Sequence, residues 1–288
     1  MSYAGRFINM DRSVERRSVL EAQFAALGCS DRYARFPAVD GQSLDRTRSS
    51  LTAGECGCFE SHYRCIKESM GDDRPLHIVE DDVVFGPRTL PALDQVIGDA
   101  FGRGEMVFTD LFVRGELVTI QLLMNYYRLS GALEARTGGQ APWPRFVNFL
   151  DLKSISFAGS ASYFLRNDAK PRMLSLMERE LAAGPTVPVD IFFHRVIHDG
   201  EITACCTLPF LTSVDPAAIV STTIEGRPQL SGSALAFFML RNYFFVDKDD
   251  ATLERLGREL TGPVENSNYM NPVLDVFRYV FGEDFVAF

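Results

Sequence analysis

Short apolar runs separated by segments of helical periodicity constrain this chain more than any other feature. Residues 5–10 form a brief apolar run entering Asp11-Arg12-Ser13, after which Val19, Leu20, Phe24 and Leu27 recur at helical spacing until Gly28. Residues 33–39 are a second extended segment, closed by the turn dipeptide Asp40-Gly41. Thr52 and Glu55 make a capping-box pattern that predicts a helix over residues 53–70, with Phe59, His62, Tyr63 and Ile66 along one side. Leu76-His77-Ile78-Val79 then runs directly into Glu80-Asp81-Asp82, as a buried strand ending in charge does. Strands alternating with helices predict an α/β fold built on an open, mostly parallel, Rossmann-type sheet.

The second half is less regular. Residues 90–101 are expected to be helical and 106–113 a strand, whereas 114–153, with Gly138-Gly139 and Pro142-Trp143-Pro144, reads as an irregular insertion. Residues 154–165 are apolar and rich in small side chains, 169–183 are helix-like, 188–198 begin a helix with Asp190 in its first turn, and 202–208 look like a last strand. Loop-like sequence follows to Pro228, and then a helical region carrying Phe237, Phe238, Tyr243, Phe244 and Phe245. The expected organisation is a main domain over 1–230 with a helical region, 231–288, packed on it. Residues 234–240 are apolar on every side, which predicts burial against the protein itself or against a twin subunit in a homodimer.

Composition excludes several function classes. With 46% hydrophobic and 23% charged residues among 288, the chain is an ordinary folded protein. Its formal charge of -9 opposes the nucleic-acid backbone, so nucleic acid is not an expected partner. Residues 1–10 lack the apolar run of a signal peptide, and no uninterrupted apolar span approaches the ~20 residues that cross a bilayer. These features predict a cytoplasmic protein with at most transient contact at the inner face of the membrane, since Asp247, Asp249 and Asp250 would be repelled by anionic headgroups. The six cysteines, including adjacent Cys205 and Cys206, read as reduced thiols. Cys56-x-Cys58, with no second cysteine pair and no histidine counted as near it, is discounted as a zinc site.

In a doubly wound sheet ligands bind beyond the carboxyl ends of the strands, where the acidic triplet would lie. Side chains two apart in extended chain share a side, so Glu80 and Asp82 are expected to face one crevice and Asp81 to point away. Hard carboxylate oxygens suit Mn²⁺ or Mg²⁺, which would neutralise a diphosphate leaving group. A solvated surface loop accounts for the triplet equally well. His62, on an apolar helical face, fits a structural histidine better than a catalytic one. Asp11 or Ser13 also fits a helix N-cap, and Asp190 a first-turn helix charge.

Four blocks in order change the weighting: Phe7-Ile8-Asn9-Met10-Asp11-Arg12-Ser13 with Arg16; Arg35-Phe36-Pro37-Ala38-Val39-Asp40-Gly41; Leu51-Thr52-Ala53-Gly54-Glu55-Cys56-Gly57-Cys58 with Ser61-His62; and Val79-Glu80-Asp81-Asp82-Val83. Together they resemble glycosyltransferase family 25, clearly to about residue 85 and more weakly through Gly159-Ser160-Ala161-Ser162-Tyr163-Phe164 and Pro188-Val189-Asp190. Members of that family include bacterial lipooligosaccharide galactosyltransferases and enzymes that galactosylate collagen hydroxylysine.

The resemblance implies a GT-A-like fold and an inverting hexosyltransferase that uses a UDP-sugar donor, a glycan acceptor and usually Mn²⁺. Carried onto this chain, Asp82 is the expected principal metal ligand, with Glu80 beside it and Glu80 or Asp81 contacting ribose. Asn9, Asp11, Arg12, Arg16, Asp40, Ser61 and His62 are expected to line the donor site, an arginine fork pairing with phosphate. Asp190, in the Pro-x-Asp block, is the expected base for the acceptor hydroxyl. Many GT-A folds complete the metal shell with a late histidine; no histidine follows His198 here, so water or another residue must take that place. Two other readings stand: a glycoside hydrolase using Glu80 and Asp190, and a family-like protein that binds sugar or a partner without catalysis. Galactose, lipooligosaccharide and any other cell-surface acceptor rest on the resemblance alone.

Overall fold

The computed structural model describes residues 2–114, 119, 122–124, 147–216 and 232–259. In chain order these form β1 (Ala4–Asn9), α1 (Val14–Ala26), β2 (Tyr33–Pro37), α2 (Ala53–Glu68), β3 (Leu76–Glu80), β4 (Val83–Val84) and α3 (Thr89–Phe101). There follow β5 (Met106–Phe108), β6 (Phe112–Arg114), β7 (Asn148–Asp151), β8 (Ser156–Ala158) and β9 (Ser162–Leu165). The remainder is α4 (Lys170–Ala183), α5 (Val189–His198), β10 (Ala204–Leu208), β11 (Ser213–Val214), α6 (Gly232–Phe244) and α7 (Asp250–Glu259).

The central sheet has seven strands in the order β2-β1-β3-β9-β5-β10-β7. β2, β1, β3, β5 and β10 run one way, and β9 and β7 run against them, giving a mostly parallel Rossmann-like α/β sheet. Alternating side chains send Ile8, Ile78 and Tyr163 to one face, against Phe59 of α2, Met173 of α4 and Phe192 and Phe193 of α5. Phe7, Val79 and Phe164 go to the other face, against Phe24 of α1 and Leu93 of α3. Burial on both faces explains why β3 and β5 are continuous apolar runs rather than alternating ones. Met239, Leu240, Tyr243 and Phe244 of α6 join the first of these cores, as their apolar character requires. Among the described residues no helix is long and apolar enough to cross a membrane.

The local expectation for the start of α2 is met in detail. Thr52 and Glu55 form the reciprocal capping box that starts α2. None of the six cysteines is in a disulfide, and only Cys58 is part-exposed. Other expectations need correction. The strand expected over 106–113 is two, β5 and β6, divided by buried Thr109 and Asp110. Residues 148–151, placed in the irregular insertion, form β7, an antiparallel edge beside β10; residues 115–118, 120–121 and 125–146 lie outside the described part, as do 217–231 and 260–288. β10 is not the last strand, because β11 pairs with β4.

A buried polar chain crosses the sheet. Tyr33 Oη lies 2.8 Å from His77 Nδ1, and His77 Nε2 lies 3.1 Å from Ser162 Oγ. Ser162 Oγ accepts from Thr109 Oγ1 at 2.6 Å, and Thr109 Oγ1 meets Thr212 Oγ1 at 2.7 Å. Tyr33 and His77 belong to β2 and β3, which flank β1, and Gly5 of β1 is in register with both. A Cβ there would sit 2.5 Å from the Tyr33 ring, so only glycine lets tyrosine reach over the intervening strand. His77 also stacks on Phe164, its cross-strand partner, with ring centroids 3.8 Å apart.

Burial pushes the His77 pKa down to about 3, so the folded protein keeps this ring neutral while the unfolded chain protonates it near its ordinary value of about 6.5. Stability should therefore be unaffected by this group above pH ~6.5 and fall by up to about 1.4 kcal/mol per pH unit as pH drops from there toward 3. Denaturant unfolding across that range should show a shallower decline in His77→Gln than in the wild type. An unchanged slope would mean that His77 titrates normally in the fold.

Candidate active site

Because β9 opposes its neighbours, its first residues lie at the edge where β3 and β5 end. The Glu80 amide donates to the Ala161 carbonyl at 2.8 Å, fastening that junction. Asn9 at the end of β1, the acidic triplet, Thr109-Asp110 and Ser160 therefore gather along one edge of the sheet, the place where open α/β sheets hold ligands.

Asp81 does not turn away from this crevice. Its Oδ2 accepts from Asn9 Nδ2 at 2.7 Å and its Oδ1 from Arg16 Nη1 at 3.0 Å, and it is the least exposed of the three carboxylates. A turn at Asp81-Asp82 breaks the extended alternation on which the opposite expectation rested. Asn9 is fully engaged, donating also to the Ser13 carbonyl and accepting from Arg35 Nε at 3.0 Å. Arg35, not among the expected site residues, thus orients Asn9 and pairs with exposed Asp11 at 2.6 Å.

Glu80 faces α2. Its Oε1 accepts from Ser160 Oγ at 2.7 Å and lies 3.4 Å from Nε2 of fully buried His62, an ionic distance without hydrogen-bond alignment. His62 Nδ1 is 2.9 Å from the Tyr163 hydroxyl, which burial keeps protonated. Cys58, one turn before His62 on the same helix face, brings its sulfur to the same place: the Cys58, His62 and Glu80 ligand atoms all lie within 4.8 Å of one another. Contrary to the expectation from sequence, Cys58 does have a histidine beside it, since residues four apart on a helix are neighbours in space. α2 is seated there by Gly57, whose Cβ would lie 2.6 Å from the Val39 carbonyl.

The carboxyls at this edge are electrostatically unequal. Burial raises the Glu80 pKa, but His62 and Ser160 outweigh it and hold the group below its ordinary value. Burial, then the Glu80 charge, push Asp82 up to about 7 against the pull of Arg16, with Asp81 adding to the rise. Asp82 Oδ1 is buried and has no hydrogen-bond partner. Arg16 Nη1 stands 3.9 Å from its other oxygen.

The remaining expected residues are more peripheral. Arg12 and Asp40 pair with each other at 2.7 Å on the exposed rim, and Asp40, held below its usual pKa by the Gln42 amide and Arg12, starts a short 3₁₀ turn. Ser61 is buried with its hydroxyl committed, donating to the Gly57 carbonyl and accepting from the Val39 amide. Half-buried Asp190 accepts from the Gly159 amide at 3.1 Å and from the Ile191 amide at 2.9 Å. Gly159 adjoins Ser160, so one short link between β8 and β9 binds both Asp190 and Glu80.

Residues 6–193 match the model of glycosyltransferase family 25, described as an LPS biosynthesis protein family. The chain belongs to glycosyltransferase family 25. Among its relatives, a Drosophila pseudoobscura pseudoobscura "Glycosyltransferase 25 family member" is 33% identical over 99 residues, 28% of this chain and 16% of that protein. An Aedes aegypti protein of the same description is 32% identical over 122 residues, 35% of this chain and 20% of that protein. The aligned stretch thus spans about a fifth or less of these relatives' length.

The family 25 match ends before α6, yet α6 supplies a residue to the acidic edge. Buried Arg241 pairs with buried Asp110 through both Nε, at 3.0 Å, and Nη2, and its guanidinium lies 4.2 Å from the Phe112 ring centroid. Burial raises the Asp110 pKa, with Arg241 opposing and Glu80 adding to the rise; the same arginine pulls down Glu80 and Asp82. This pair is not legible in the sequence, because its members are 131 residues apart.

Removing one partner of a buried ion pair leaves an uncompensated charge. Arg241→Met should therefore lower unfolding stability by about 3–5 kcal/mol, and adding Asp110→Asn should restore much of the loss. Chemical denaturation of the single and double variants measures both. A double variant no more stable than the single would show that Arg241 acts through packing on Phe112 instead.

Proposed function

We propose that this chain is an inverting hexosyltransferase that moves a hexose, galactose by resemblance, from a UDP-sugar to lipooligosaccharide or another cell-surface glycan. The observation carrying this reading is Asp82: a carboxyl in the turn that follows β3, with a buried oxygen lacking a hydrogen-bond partner and a pKa raised by burial and by neighbouring Glu80. Such a site is short of positive charge, and its hard oxygen donors suit Mn²⁺ or Mg²⁺. Asp82 is the principal proposed ligand, with Glu80 beside it. When bound, the ion would supply charge neutralisation of the departing diphosphate.

The chain's own residues account for the rest. Arg16, part-exposed beside Asp81 and Asp82, offers a planar fork to a donor phosphate. Asn9, itself oriented by Arg35, fixes Asp81 together with Arg16, leaving it suited to a ribose hydroxyl. Asp190 would take the proton of the acceptor hydroxyl as that oxygen bonds to the anomeric carbon and the carbon–diphosphate bond breaks on the opposite face, inverting the centre. Support for Asp190 is its link, through the Gly159-Ser160 segment, to Glu80.

Asp82→Asn should abolish Mn²⁺-dependent UDP binding in calorimetry while circular dichroism stays native, and unchanged metal-dependent affinity would remove Asp82 from the role. Asp190→Asn should lose turnover by about 10²-fold or more with donor binding intact. Retained turnover would reduce Asp190 to a charge at the start of α5. UDP binding itself separates a transferase from a two-carboxylate glycosidase, which has no need of the nucleotide.

A further inference from the structure

We propose that Cys58, His62 and Glu80 form a binding site for a thiophilic divalent cation, Zn²⁺ being the best match, built into the side of the crevice formed by α2. Cys58 Sγ, a His62 ring nitrogen and a Glu80 oxygen lie within 4.8 Å of one another. The 3.4 Å between His62 Nε2 and Glu80 Oε1 is close to the roughly 3.3 Å that separates nitrogen and oxygen ligands across a tetrahedral ion with bonds near 2.0 Å. Thiolate, imidazole and carboxylate together are a soft and borderline donor set that favours zinc over Mn²⁺ or Mg²⁺.

The second observation is the state of His62. The ring is fully buried, and its Nε2 has no hydrogen-bond partner although a Glu80 carboxylate oxygen lies 3.4 Å away. Its other nitrogen is held by the Tyr163 hydroxyl at 2.9 Å, the outer contact that typically fixes the orientation of a metal-binding histidine. Glu80 is likewise held by Ser160, and Gly57 pins the helix against the Val39 carbonyl, so the donors sit on a fixed frame. Part-exposed Cys58 and Glu80 leave a path for entry, and three protein ligands leave a fourth position for water. Binding would release the Cys58 thiol proton to solvent.

This site shares Glu80 with the proposed Mn²⁺ or Mg²⁺ site but rests on its own geometry, and its test is spectroscopic. Full-length protein freed of metal by chelation is titrated with Co²⁺, which takes zinc sites and reports a bound thiolate by charge-transfer absorption in the near ultraviolet. The wild type should show that absorption at one Co²⁺ per chain, Zn²⁺ should abolish it, Asp82→Asn should keep it, and a natively folded Cys58→Ser should lose it. In the unmodified chain Zn²⁺ should also shield Cys58 from alkylation, read by peptide mass, a measurement that needs no variant. Absence of the thiolate band at saturating Co²⁺, its persistence in Cys58→Ser, or undiminished alkylation of Cys58 would overturn the proposal and leave His62 as a buried structural histidine.

Discussion

Crowding of negative charge at one edge of the sheet is the constraint on which the rest of this structure depends. Glu80, Asp81, Asp82 and Asp110 converge there, and each carboxylate taken out of water next to another raises the cost of keeping both ionised. The fold answers with a separate device for each. Asp81 is given to Asn9 and Arg16, Glu80 to Ser160 and His62, and Asp110 to Arg241. Asp82 is the least compensated, with one buried oxygen that no hydrogen bond reaches.

Those devices come from distant parts of the chain, and the sheet topology makes them neighbours. β9 runs against β3 and β5, so the polar residues at its start meet the ends of the strands on either side. A fully parallel sheet would carry those residues to the opposite edge. The buried polar chain from Tyr33 through His77 to Thr212 ties the same strands together laterally, and Gly5 permits it by leaving room above β1. A fully satisfied buried network of this kind stiffens the strands that present the acidic residues.

Membership of glycosyltransferase family 25 covers the elements from β1 into α5, which hold Asn9, Arg16, Cys58, His62, the acidic triplet and Asp190. Arg241 lies outside that span and still acts on the shared edge. α6 is thus coupled to that edge by charge as well as by the apolar contacts of Met239, Leu240, Tyr243 and Phe244.

The sequence by itself determined the alternation of strands and helices, the start of α2 at its capping box, and the acidic triplet at a strand end, because periodicity, capping and charge are local properties. It also marked the four blocks that reveal the family. Only the tertiary structure decided which strand β9 lies between, that 148–151 would close the sheet as β7, and that Asp110 would find Arg241. It decided as well that Asp81 turns inward, because the turn at Asp81-Asp82 abandons the period-two geometry a strand would impose. Cys58 and His62 lie between these cases: their spacing on one helix face was legible, but the carboxylate that gives the pair a chemical purpose comes from β3, and only packing brings it there.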